Sequence, residues 1–189
     1  MAELTPRAPD FGRHSAPDLD MACEPFLGLV KVQGHDGAAD APLQLRLGGP
    51  LPAANREGRF GPVACAWLAP GEWLLIGERA ALLDLSRPLE TSSAGQPILV
   101  TEITHGRVAL RLAGARVPAV LLRHCPLDLH PDVFPTGSTA RTLLGDIPIH
   151  LSRLDDAPSF RLIVDQSQAE AAWRLLLLAA ASASAGEGP

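Results

Sequence analysis

At 189 residues the chain is long enough for one full core or two small half-domains, and too short for two large independent domains. Apolar residues make up 47% and charged residues 20%, which argues against disorder along most of its length. A net charge of −5 without a basic run, and only five Phe, three Trp and no Tyr, argue against a nucleic-acid surface.

The opening "MAELTPRAPDFGRHSAPDLDMACEPF" has no apolar run able to form a signal-peptide core, so a cytoplasmic location is expected. Pro6, Pro9 and Pro17 stand among charged and small residues without periodicity. Residues 1–24 therefore read as an irregular or partner-ordered arm, 25–181 as a single α+β domain, and 182–189 as a flexible tail. "LQLRL" (43–47) alternates as a half-buried strand does, and "GGPLPAANREGRFGP" reads as a loop. In "VACAWLAPGEWLLIG" two β-rich runs flank Pro70-Gly71, a hairpin signal, because Pro presets the first corner and Gly tolerates the second.

"RAALLDLSRPL" reads as a short helix stopping near Pro88, followed by the strands "PILVTEIT" and "RVALRLAG". "GARVPAVLLRHC" fits a helix with Val117, Val120, Leu121 and His124 on one stripe. "STARTLL", "IPIHLSRL" and "FRLIVD" read as strands, the alternation turning His150 away from the core. A last helix opens at "SQAE", where Ser167 and Glu170 fit a capping box. Its surplus leucines, Leu175 and Leu178, suit either a subunit interface or a place between two sheets. At 11 residues the apolar run 171–181 is too short to span a membrane, and Arg174 interrupts it. Interleaved strands and helices in this order predict an α+β fold of two ferredoxin-like halves.

"HCPLDLHPDVFPTGSTARTLLGDIPIHL" (124–151) concentrates chemistry-bearing residues. His124, Cys125 and His130 lack the second close pair that a structural zinc site wants, so no metal is expected. A catalytic thiol at Cys125 would need a base within reach and a third group to orient it, and nothing in the sequence shows such an arrangement. The buried thiol is the simpler role, with Leu127 as a second inward anchor and Asp128, His130 and Asp132 at the surface or against a partner. Asp155 and Asp156 fit a solvated turn better than a catalytic carboxylate pair. Cys23, Cys65 and Cys125, odd in number and widely spaced, read as reduced thiols. There is no dinucleotide-binding glycine fingerprint and no Walker-type phosphate loop. No catalytic, cofactor-binding or metal residue is assigned.

From "WLAPGEWLLIG" through "ITHGRVALRLAG", "CPLDLHPDVFPTG" and "ARTLLG" to the final helix, roughly residues 60 to 180, the chain resembles the γ subunit of bacterial heterotetrameric sarcosine oxidase. The resemblance implies a fold similar to the folate-binding domain of the glycine-cleavage aminomethyltransferase. It also implies a non-catalytic chain packed on a large α subunit, with β and δ subunits completing the complex. That complex demethylates sarcosine oxidatively to glycine, and its FAD, FMN, NAD and tetrahydrofolate would lie in the other subunits. The corresponding small subunit of N-methylglutamate dehydrogenase and a stand-alone folate-binding module are the alternatives. The iron–sulfur-assembly branch of the aminomethyltransferase fold fits poorly, because "RHCPLDL" lacks the Gly, Tyr and Gln-Glu of its motif.

Overall fold

The computed structural model describes residues 11–24, 27–91 and 97–185. In chain order the strands and helices are β1 (Arg13–Ala16), β2 (Leu19–Cys23), β3 (Leu27–Gly34), α1 (Asp40–Leu47), β4 (Glu57–Phe60), β5 (Val63–Ala69), β6 (Glu72–Glu78), α2 (Arg79–Thr91), β7 (Ile98–Glu102), β8 (Arg107–Ala113), α3 (Val117–Leu121), β9 (Thr139–Leu144), β10 (Ile147–Asp155), β11 (Ser159–Asp165) and α4 (Ala169–Ala185). The chain divides into two compact units. The first combines the N-terminal segment up to Pro25 with His105–Thr136 and the chain from Thr142 on; the second is Phe26–Thr104 with Gly137–Arg141.

The second unit is organised by β3, "LGLVKVQG", a central strand with no counterpart among the sequence expectations. The sheet runs β4-β5-β6-β3-β7 with antiparallel neighbours. Without the edge strand β4, the succession β3-α1-β5-β6-α2-β7 is the βαββαβ order of a ferredoxin-like half. Val30, Val32, Cys65 and Leu75 on the sheet pack with Leu43 of α1 and Leu82 of α2 in one apolar cluster.

Two expectations fail in this unit for identifiable reasons. "LQLRL" is the end of α1 and not a strand: leucines at every second position satisfy both periods over five residues. Here Leu43 is buried, Leu47 packs beside it one turn later, and Leu45 is 83% exposed. Helix α2 does not stop near Pro88 but carries it inside. Proline removes the N–H that would reach the carbonyl four residues back. That carbonyl, of Asp84, accepts instead from the Arg46 guanidinium of α1 at 3.1 Å.

The first unit has the sheet order β1-β2-β8-β11-β10-β9. Strands β8, β10 and β11 with α3 and α4 supply three strands and two helices of a second ferredoxin-like half. Its fourth strand comes from the N-terminus: β2 pairs antiparallel with β8, Met21 opposite Leu112 and Cys23 opposite Leu110. Residues 13–23 are thus a hairpin and not an irregular arm, while residues 1–10 of that arm lie outside the described residues.

The hairpin is specified locally. Pro17 presets one corner and Asp18 takes φ 56° at the next. Leu19 and Met21 alternate into the core, and Arg13 grips Asp20 across the strands with two hydrogen bonds. Gly114, at φ 119°, lets the chain after β8 pass so close that any Cβ there would overlap the Asp18 carbonyl. That carbonyl accepts from the Arg116 N–H at 3.0 Å.

Helix α4 continues to Ala185, so the expected tail is helical for its first four residues; 186–189 lie outside the described residues. It is entered through a 3-10 turn, Gln166–Gln168, whose N-cap Asp165 makes no side-chain cap bond. Glu170 binds Arg174 one turn on, in place of the expected capping box. Of the surplus leucines, Leu175 is half-buried and Leu178 is 66% exposed.

Because Met21 is fully buried in a paired strand, Met21→Ala should destabilise the chain by about 2–4 kcal/mol. Urea denaturation followed by circular dichroism reads this; a change near zero would mean that the hairpin is not part of the folded core.

Candidate functional site

The segment from His124 to Ser138 follows α3 as an irregular connection. Its course is set by backbone bonds and three apolar anchors. The Cys125 N–H donates to the Leu121 carbonyl at 2.8 Å, and the His124 carbonyl accepts from the Gly145 N–H at 2.7 Å. Cys125, Leu129 and Phe134 are buried, whereas Leu127, the expected anchor, is half-buried. From Cys125 to His130 the inward positions alternate with the exposed Pro126, Asp128 and His130, and the alternation ends at Pro131, which is exposed as well. Arg153, buried on β10, donates to the Phe134 carbonyl at 3.1 Å, and its guanidinium lies 5.8 Å from the centre of the Phe160 ring.

These contacts do not assemble a reactive pair. Asp128 accepts the His130 N–H at 2.9 Å, shaping the loop, and His130 and Asp132 are exposed as expected. Neither His124 nor His130 is hydrogen-bonded to the Cys125 thiol. Among the described residues no group of three or more His, Cys, Asp or Glu could hold a metal ion. Asp155 accepts from Ser159 and Asp156 from Thr136, both at 2.7 Å, so each is used in shaping its turn.

His150 departs from expectation. Alternation correctly sets it opposite the face of Ile149 and Leu151, yet it is only 7% exposed, because that second face is also covered. Its Nε2 lies 3.4 Å from the Ser152 hydroxyl. Single-face alternation carries no information about a sheet covered on both sides.

The three thiols occupy different environments. Cys65 is buried in the apolar cluster of the second unit, and burial, helped by the Glu57 carboxylate, pushes its thiol up to about 12. Such a thiol stays protonated at neutral pH and is a poor nucleophile. Cys125 is buried and Cys23 is half-buried.

A feature that sequence reasoning missed lies within the second unit: a cleft of about 940 Å³ between the end of β3, the Pro70-Gly71 turn and the start of β7. Trp67 and Trp73, direct partners across the β5–β6 hairpin, both line it. The Trp73 indole N–H donates to Asp40 at 3.0 Å. Glu72 pairs with Lys31 at 2.9 Å and accepts from Gln33 at 2.8 Å, and the Lys31 ammonium holds its carboxyl below the usual range. The Gly71 carbonyl accepts the Gly34 N–H at 2.9 Å, and a side chain at Gly71, where φ is 72°, would overlap the Gly34 carbonyl. "WLAPGEW" was the available signal: two Trp flank a hairpin turn, and a register shift between Trp67 and Ala69 makes them direct cross-strand partners.

A family profile described as "Sarcosine oxidase, gamma subunit family" matches residues 32–184. The chain belongs to this family. It is 33% identical over 162 residues to the sarcosine oxidase subunit gamma of Corynebacterium sp. (strain U-96), spanning 85% of this chain and 77% of that one. A second relative, the sarcosine oxidase subunit gamma of an Arthrobacter species, is 32% identical over 67% of this chain, a match spanning 62% of the relative's own length.

Among solved structures, the heterotetrameric sarcosine oxidase from Corynebacterium sp. U-96 contains a chain that superposes with a TM-score of 0.80 at 29% identity. That match covers 90% of this chain and 88% of the other. The glycine cleavage system aminomethyltransferase T from Bartonella henselae shares the fold at a TM-score of 0.64 and 16% identity, over 85% of this chain and 46% of that enzyme. The expected fold, two ferredoxin-like halves similar to the aminomethyltransferase, is therefore found. Among the described residues, no helix of this family member is long and apolar enough to cross a membrane.

Two outcomes follow from the thiols. The folded chain keeps the Cys65 proton up to about pH 12, whereas the unfolded chain releases it near 9.0, so this contribution to stability is complete below pH 9 and is lost as pH rises through 12. Equilibrium unfolding across that range should show a decline in the wild type that is absent in Cys65→Ala; parallel curves would contradict the buried-thiol assignment. Separately, Cys125→Ser should lower stability by about 1–2 kcal/mol, the cost of a hydroxyl at a buried thiol position, as read by urea denaturation.

Proposed function

We propose that this chain is the γ subunit of a heterotetrameric sarcosine oxidase and serves it as a structural component, packing against the large α subunit beside β and δ. In this reading the complex demethylates sarcosine oxidatively to glycine. FAD, FMN, NAD and tetrahydrofolate are bound by other subunits. The observation that carries the reading is the end-to-end match, at a TM-score of 0.80, to a chain of the Corynebacterium heterotetramer. The internal organisation agrees with such a role. Asp128, Asp155 and Asp156 accept hydrogen bonds that shape loops and turns, Glu24 pairs with Arg161, and Cys65 sits in apolar packing.

The reading is tested by co-expressing the tagged chain with the three companion subunits of its own organism. The expected result is a stable complex, with one copy of this chain per large flavoprotein, that consumes oxygen with sarcosine, while the chain alone consumes none. Oxygen uptake by the isolated chain, or failure to join the complex, would contradict the assignment. Faster turnover with N-methylglutamate than with sarcosine would move the complex to the related dehydrogenase.

A further inference from the structure

Fourteen residues line the cleft of the second unit, among them three carboxylates, Asp36, Asp40 and Glu72, and neither lysine nor arginine. Glu72 is already neutralised by Lys31. Asp40 gives one oxygen to the Trp73 indole, and its other oxygen borders Gly37. Asp36 sits at φ 49° in a 3-10 turn with its side chain 88% exposed, 3.3 Å from the His35 ring. Two acidic groups thus remain at a cleft whose wall includes two indoles. This combination suits a lysine or arginine whose stem lies on aromatic surface while its charge meets carboxylate.

The neighbouring strand adds a second, independent feature. β7 is an edge strand, and β3 is its only pairing partner among the described residues. An edge strand presents backbone donors and acceptors to a further strand, and folded chains blunt such edges with charged side chains, lysine above all, with proline or with bulges; the one charge on β7, Glu102, is taken up by Arg79. β7, "ILVTE", contains neither lysine nor a register shift, and its Leu99 is 59% exposed. Ile98 and Leu99 also line the cleft, so a strand laid along β7 would run past the cleft mouth.

We propose that β7 and the adjoining cleft form a docking surface for an extended, basic segment of the large companion subunit, which pairs with β7 and seats a lysine or arginine against Asp36 and Asp40. The backbone of the incoming segment supplies affinity, and the acidic, indole-walled cleft supplies selectivity for a cation. The proposal rests on the γ-subunit reading, since it takes its partner from there.

The test measures association of the purified large subunit with three forms of the chain and with wild type. Asp36→Asn with Asp40→Asn removes both charges while keeping an amide oxygen for the Trp73 indole and a residue that tolerates positive φ. Leu99→Lys blunts the edge at an exposed position, and Leu178→Ser alters the exposed leucine of α4 in the other unit. The expected result is affinity about tenfold weaker for the double asparagine form, with a flatter salt dependence, a similar loss for Leu99→Lys, and no loss for Leu178→Ser. Affinities within about twofold of wild type for the first two forms would overturn the proposal. So would a loss confined to Leu178→Ser, which would move the contact to α4. If wild type itself does not bind the large subunit, the γ-subunit reading fails and takes this proposal with it.

Discussion

Strand β8 lies inside its sheet, with β11 on one side, so its other edge needs a partner: buried backbone N–H and C=O groups left unpaired cost about as much as lost hydrogen bonds. The chain supplies that partner from its beginning, through β2. Everything in the first unit depends on this pairing. It completes the four strands of a ferredoxin-like half whose own helix α4 is followed by no fourth strand among the described residues. It also buries Leu19 and Met21 against the rest of the core, and it fixes the corner at Asp18 over Gly114. The second half has its four strands in sequence and needs no such loan.

Much of this was legible in the residues and some was not. The β5–β6 hairpin, strands β7 to β11 and the buried stripe of α3 follow from turn chemistry and periodicity. The N-terminal hairpin was not legible because three prolines and several charges outweigh a short alternating run, and the reason for the strand lies more than eighty residues away, in β8. α1 was misread because five residues cannot separate a period of two from one of 3.6, and α2 because the compensation for Pro88 comes from Arg46 on another helix. For the hairpin and for α2, a distant partner decided a local question.

The connection after α3 shows the same division. Its exposed polar residues were placed correctly, and so was the buried thiol. Leu129 continues the alternation that begins at Cys125, whereas Phe134 depends on how the loop turns after Pro131, which no periodic rule describes. The cleft beside Trp67 and Trp73 went unseen because its third wall is β7, which reaches the site only through its pairing with β3. The family resemblance, by contrast, was carried by motifs that need no tertiary information, and the chain's membership confirms it.

The first unit is completed by a strand from the N-terminal segment of the same chain. The most direct measurement of that claim is amide hydrogen exchange, resolved by segment, on the free chain and on the same chain in its complex. The account predicts slow exchange for residues 20–23 and 108–112 in both states, and protection of residues 98–102 that arises only on assembly. Rapid exchange of residues 20–23 in the free chain, slowed only in the complex, would contradict it, because the first unit would then be completed by its partner and not by itself.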